Sequence, residues 1–287
     1  MLSKFLDPKN DAAFKRIFGT DKNKDILIHF LNDMIVFKED GPIEEVTFLK
    51  TIQDPEIFAQ KTSIVDILCR DAKGNSYIVE MQVASERGFE KRAQYYASKA
   101  YISQMHPGEL YQDLKEVIFL AIANFVMFPN KAEYKSDHIT LDRKTLENDL
   151  KDFSYTFLEL PKFNKDIDHL STMTEKWTYF FKHGEETTEE DFLKLIKNDQ
   201  IIKRAFQELD RFTWDEQDLL IYDQAEKYRW AYQASLDYQF ENGQKVGMEK
   251  GEKAAQLKIA QNLLRMGQTI ENIILATGLS KDEIEKF

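Results

Sequence analysis

The sequence predicts an α/β fold, a mixed sheet flanked by helices, continued by a helical C-terminal region. Three observations carry this. Over roughly the first 160 residues, strand-like segments at 43–50, 64–71, 76–84, 116–128 and 153–160 are interspersed with segments of helical period. One of them, EVIFLAIANFVMF at 116–128, is apolar almost throughout and stops at Pro129, as a strand covered on both faces does. From about residue 167 the strand signal fades and apolar residues recur at helical spacing.

Each element has a local reason. Residues 7–19 (DPKNDAAFKRIFG) open with helix-start chemistry: Asp7-Pro8 suits a turn, and Asn10 or Asp11 can cap. Ala13, Phe14, Ile17 and Phe18 then share one face, and Gly19 ends the run. Residues 23–36 give a second helix, with Ile26, Leu27, Phe30, Leu31, Met34 and Ile35 in one stripe. Residues 43–50 and 64–71 are strands. DAKGN at 71–75 turns the chain, Gly74 and Asn75 being able to take positive φ, and 76–84 returns. Residues 86–105 form a long helix closed by Pro107-Gly108.

The strands at 116–128 and 153–160 complete the sheet, and helices follow at 171–183, 188–197, 199–211 and 215–266. In the last of these, Gly243, Gly247 and Gly251 stack on one helix face. That is either a charged, solvated helix or a close helix–helix contact such as a homodimer interface. Two short helices follow around residues 277–280, with Ser280 and Glu283 spaced as a capping box. Their outline is that of a helix-turn-helix without a basic recognition helix, and a small packing module has the same outline. The organisation expected is a core at 1–165, a helical extension at 166–240 and a tail at 241–287 for oligomerisation or DNA contact.

With 287 residues, 43% of them hydrophobic, the chain can bury a sizeable core, and 11 Gly and 6 Pro leave little for flexible linkers. No apolar run approaches the roughly 20 residues that span a bilayer, and no apolar stretch follows the opening Lys. The single cysteine, Cys69, cannot form an internal disulfide, so a cytoplasmic location without membrane association is expected. The net charge of −11 opposes general coating of nucleic acid. Any nucleic-acid role must therefore be local, with a basic patch or bound cations offsetting phosphate repulsion. The 5 His show no zinc-ligand spacing, and neither GxxxxGK[ST] nor GxGxxG occurs.

The hairpin at 63–84 carries the chemistry. By strand alternation, Val65, Ile67 and Cys69 share one face with Val79, Met81 and Val83. The other face carries Asp66 and Leu68, with Ile78, Glu80 and Gln82 on the returning strand. A tight turn near Lys73 sets Asp66 across from Glu80, with Cβ atoms about 5 Å apart. Facing carboxylates repel, and Asp is a poor strand former. A divalent cation would remove the repulsion, and Mg²⁺ typically takes one or two carboxylates plus waters. The alternative is an ordinary solvent-exposed polar face. Cys69, on the apolar face, suits the core better than a nucleophile's role.

The block IVDILCRD at 64–71 followed by YIVEMQV at 77–83 resembles the core of PD-(D/E)xK nucleases in a D…ExQ variant. With DPKNDAAFKRIFG at 7–19 and ERGFEKRAQYYASKAY at 86–101, the wider pattern is similar to the Rpn family of recombination-promoting nucleases, also described as PD-(D/E)xK transposases. The resemblance is good over about 5–130 and looser beyond. It implies a restriction-endonuclease-like α/β core and a metal-dependent DNA endonuclease of mobile-element or defence type. Asp66 and Glu80 would be the acidic ligands of Mg²⁺ or Mn²⁺, the Met81 carbonyl a further ligand, and Gln82 the group that positions the attacking water. Gln82 stands where Lys is commoner and brings no charge. Lys15, Lys91 or Arg92 would have to compensate.

Arg92, Gln94, Tyr95 and Tyr96 match the family's RxxYY segment, and one or two of them would face the site; for each Tyr, core packing is the alternative. Asp11 would be an outer acid or a helix cap. Two other functions stay open: a nuclease-fold protein of weak or no activity serving as a binding or regulatory module, and an assembly protein that oligomerises through its tail.

Overall fold

In the computed structural model, which describes residues 3–37, 41–50, 52–53, 63–197 and 199–287, the chain opens with helix α1 (Asp11–Phe18). Asn10 is its N-cap, accepting from the N–H groups of Ala12 and Ala13, so Asp11 is the first helical residue rather than the cap. Helix α2 (Lys24–Met34) follows, burying the expected stripe of Ile26, Leu27, Phe30, Leu31 and Met34. Next come β1 (Val46–Phe48), β2 (Ile52–Gln53), β3 (Ser63–Ile64), β4 (Ile67–Asp71) and β5 (Ser76–Gln82). Helix α3 (Phe89–Ile102) leads to β6 (Val117–Ala123), β7 (Lys135–Ile139) and β8 (Phe153–Glu159).

The main sheet has the order β1-β4-β5-β6-β8-β7, while β2 and β3 form a separate two-stranded piece. The β1, β4 and β5 strands pair antiparallel; β6 runs parallel to both β5 and β8, and β7 closes the edge antiparallel to β8. All seven residues of β6 are buried, which is why its sequence lacks alternation. The turn between β4 and β5 uses Gly74 at φ +94, where a side chain would be strained.

Two expectations change. The single strand at 64–71 is broken: Val65 and Asp66 lie outside it, with β3 before them and β4 after. The break resets the alternation, so Val65 packs with Leu68 and Ile78 rather than with Ile67 and Cys69. The strand β7 was not anticipated. KSDHI has no apolar alternation because an edge strand of this kind stays half exposed.

Both faces of the sheet are covered. On one, Ile67, Cys69, Val79, Leu120 and Ile122 pack beneath Phe14, Phe18 and Phe30 of the N-terminal helices. Trp177 and Phe181 of α4 (Met173–His183) and Phe206 of α6 (Gln200–Leu209) join the same core, with α5 (Glu189–Leu195) between them in sequence. On the other face, Leu68, Ile78, Phe119 and Ala121 lie under Phe89, Ala93, Ala97 and Ala100 of α3. The expected boundary at 165/166 therefore falls inside one compact unit, Met1–Glu226.

The second unit is Lys227–Phe287. Helix α7 (Glu216–Arg265) runs from one unit into the other. Within the second unit, α8 (Ile270–Thr277) and α9 (Lys281–Ile284) close a small core of Ala260, Ile273, Leu279 and Ile284. The Glu283 carboxylate accepts from the N–H and hydroxyl of Ser280, the capping contact expected from their spacing. Among the described residues no helix is long and apolar enough to cross a membrane.

Candidate metal centre

The β4–β5 ladder ends at the pair Ile67–Val79, so one step further along the same register Asp66 meets Glu80. Asp66 sits on the bend that precedes β4, and its Oδ2 accepts the backbone N–H of Met81 at 2.8 Å. Glu80 remains in β5, beside Ala121 of β6, which offers it no side-chain donor. It is 5% exposed, and its Oε1 is buried with no hydrogen-bond partner. The polar face of the hairpin is thus partly covered, with Glu80 buried and Asp66 and Gln82 half-buried, because α3 lies across that side of the sheet.

Burial sets the electrostatics. It pushes the Asp66 carboxyl up to about 6, against the pull of the Met81 N–H, while the charge of Asp11 pushes the same way as burial and those of Lys15 and Arg92 oppose it. Glu80 is raised well above the ordinary carboxyl range, first by burial and then by the charge of Asp66. Two acids that resist ionising side by side, one with an orphaned oxygen, leave a position that a divalent cation would satisfy. Among the described residues no three His, Cys, Asp or Glu cluster as ligands, so a cation at this pair would take its other ligands from main-chain oxygen or water.

Gln82 is held at both ends. Its Nε2 donates to the Ala84 carbonyl at 2.9 Å, and its Oε1 accepts from the Arg92 guanidinium. Arg92 also pairs with Glu86 and lies 4.8 Å from the Phe89 ring centroid and 5.8 Å from that of Tyr96. Glu86 was not singled out from the sequence, where nothing distinguishes it from other surface acids near a helix start.

The remaining candidates divide. Burial works against the charge on Lys15, but Asp11, Asp66 and Glu80 outweigh it and raise its pKa. Lys15 pairs with Asp11 at 2.8 Å on the surface, so both lie within electrostatic reach of the acidic pair. The Tyr96 hydroxyl is raised chiefly by burial, and it senses Arg92, Glu80 and Asp66. Tyr95 is 42% exposed and lies tilted beside Tyr96, with the Lys99 ammonium 5.3 Å from its ring. Lys91 is exposed. Met81 spends its N–H on Asp66 and packs its side chain against the main core. Cys69 is fully buried, and burial pushes its thiol up to about 12, which suits packing and not nucleophilic attack.

A family model described as "PD-(D/E)XK nuclease family transposase" matches residues 8–239, a span that includes α1, the whole main sheet and the acidic pair. Comparison with curated proteins and with solved structures returns no match.

Proposed function

The chain belongs to the PD-(D/E)XK nuclease family transposases, and on that premise we propose that it is a divalent-metal-dependent endodeoxyribonuclease. The observation that carries this is the juxtaposed Asp66–Glu80 pair, half-buried at Asp66 and buried at Glu80, with the unpartnered Glu80 oxygen. These two carboxylates would hold Mg²⁺ or Mn²⁺, with the Met81 carbonyl as a further ligand. When bound, such an ion neutralises phosphate charge, activates water and stabilises the leaving oxygen.

The chain's own residues do the rest. Asp66 and Glu80 would hold that ion as carboxylates, without the protons that burial otherwise favours. The Met81 N–H fixes the Asp66 carboxylate before any ligand arrives. Gln82, held between Ala84 and Arg92, offers its remaining hydrogen-bonding capacity to the attacking water. Lys15 and Arg92 provide the local positive charge that a chain of net charge −11 needs to admit a phosphodiester. DNA is the substrate in this reading, the setting is cytoplasmic, and the C-terminal helices serve a homodimer.

The test is cleavage of plasmid DNA with Mg²⁺ or Mn²⁺ by wild type, Asp66→Ala and Glu80→Ala. Wild type is expected to nick or linearise the plasmid, and both variants to lose about a hundredfold or more. Equal activity in all three would remove the catalytic assignment. Metal binding without cleavage by wild type would favour the second reading, a regulatory or binding module, which a neutral Gln82 already tied to Ala84 and Arg92 motivates.

A further inference from the structure

We infer that Arg92 supplies, beside the Asp66–Glu80 pair, the fixed positive charge that a lysine at position 82 would bring, with Gln82 and Glu86 as the two arms that aim it. This rests on the nuclease reading above.

Gln82 is the first arm. An amide is planar, and with its Nε2 tied to the Ala84 carbonyl its Oε1 points to the opposite side. There it meets the guanidinium of Arg92. The second arm comes from Glu86, which takes another nitrogen of the same guanidinium. The planar fork of arginine can serve two acceptors at once, which a single ammonium on a flexible stem does less well. The Phe89 ring lies 4.8 Å below and limits its movement further.

The other nearby cations are placed differently. Lys15 pairs with Asp11 on the surface, where side chains 44% and 60% exposed leave its charge more screened by water than that of Arg92. Lys91 is exposed on α3. Arg92 is 24% exposed, and its charge favours the ionised forms of both Asp66 and Glu80. A lysine at 82 would put a second cation against this guanidinium. Glutamine there is neutral and accepts from it, so Gln82 and Arg92 are a matched pair. Gln82 is thereby a positioning residue, and Arg92 is the group that meets the negative charge gained by the phosphate as it reacts.

The experiment uses the full chain and two readouts, Mn²⁺ affinity by calorimetry and plasmid cleavage in Mn²⁺. Arg92→Ala is expected to cleave about a hundredfold more slowly. It should also bind Mn²⁺ about fivefold more tightly, since a neighbouring positive charge has gone. Adding Gln82→Lys to Arg92→Ala is expected to restore at least about tenfold of the lost rate and to return Mn²⁺ affinity toward wild type. A double variant no faster than Arg92→Ala, or Arg92→Ala with wild-type rate and affinity, overturns the inference. If Arg92→Ala fails to fold, Glu86→Ala releases one arm and should lower cleavage severalfold; an unchanged rate there overturns it as well. Should wild type bind Mn²⁺ but cleave nothing, the nuclease reading fails, and the affinities of the single and double variants still decide where the charge sits. Wild type that binds no Mn²⁺ overturns both.

Discussion

The carboxylate of Asp66 accepts the backbone N–H of Met81, the residue after Glu80, at 2.8 Å. This one contact fastens the bend that breaks the first strand to the strand carrying the second acid. It gives Asp66 a structural role alongside any chemical one, and the two can be separated. Asp66→Asn keeps an acceptor for Met81 and should fold with near-wild-type stability while losing metal binding. Asp66→Ala strands a part-buried N–H and should cost about 1–3 kcal/mol. Denaturant unfolding of the two variants checks this; equal stability would mean the contact contributes nothing.

The raised proton affinities imply a pH dependence whose sign is fixed. Burial lifts Asp66 from 3.8 to about 6 in the fold. Between those values the folded protein holds a proton that the unfolded chain has released, so stability falls as pH rises through this window. Glu80 acts in the same direction. Metal-free wild type should therefore lose up to about 3 kcal/mol between the two ends of the window on account of Asp66 alone. Mn²⁺ should offset the loss near pH 8. Thermal melts in chelator against pH, for wild type and for the double variant Asp66→Asn/Glu80→Gln, measure the difference. Parallel curves for the two proteins would contradict the expectation.

Another buried carboxylate is fully committed to structure. Glu159, at the end of β8, is 0% exposed. It accepts from the N–H groups of Met127 and Phe128 and pairs with Lys162 at 2.6 Å. Glu159→Ala leaves two backbone donors unpaired and the buried Lys162 ammonium with only the Phe128 carbonyl and no counter-charge, and should destabilise by about 3–5 kcal/mol. Urea unfolding reads this directly. A cost below about 1 kcal/mol would show that water replaces the carboxylate.

Gly243, Gly247 and Gly251 have nothing within 4 Å of where a Cβ would stand. The fold of the single chain does not require glycine at these positions. Gly247→Ala should stabilise α7 by up to about 1 kcal/mol through helix propensity. Circular dichroism melts and solution mass together test this. A lower mass on substitution would show instead that the stripe packs closely against a second helix.

Much of this protein is written locally. The order of helices and strands follows from apolar periodicity and from turn residues such as Gly74. The double-sided burial of β6 is legible in its unbroken apolar run. The placement of Asp66 opposite Glu80 follows from a short turn and a register that ends at Ile67–Val79. The membership shown over residues 8–239 agrees with motifs readable in the first third of the chain.

Other features depend on groups distant in sequence, and only the tertiary structure decided them. Strand alternation could not reveal the bend at Asp66, because the contact that holds it spans fifteen residues to Met81. It could not say whether the polar face was wet or partly covered, since that depends on how closely α3, with alanines on its inner face, approaches the sheet. Nor could it choose among Lys15, Lys91 and Arg92 as the cation. Helical spacing sets which way a side chain leaves its helix. Whether Gln82 and Glu86 wait there to receive it is settled by the docking of helix on sheet, where burial makes an unpaired charge too costly to leave.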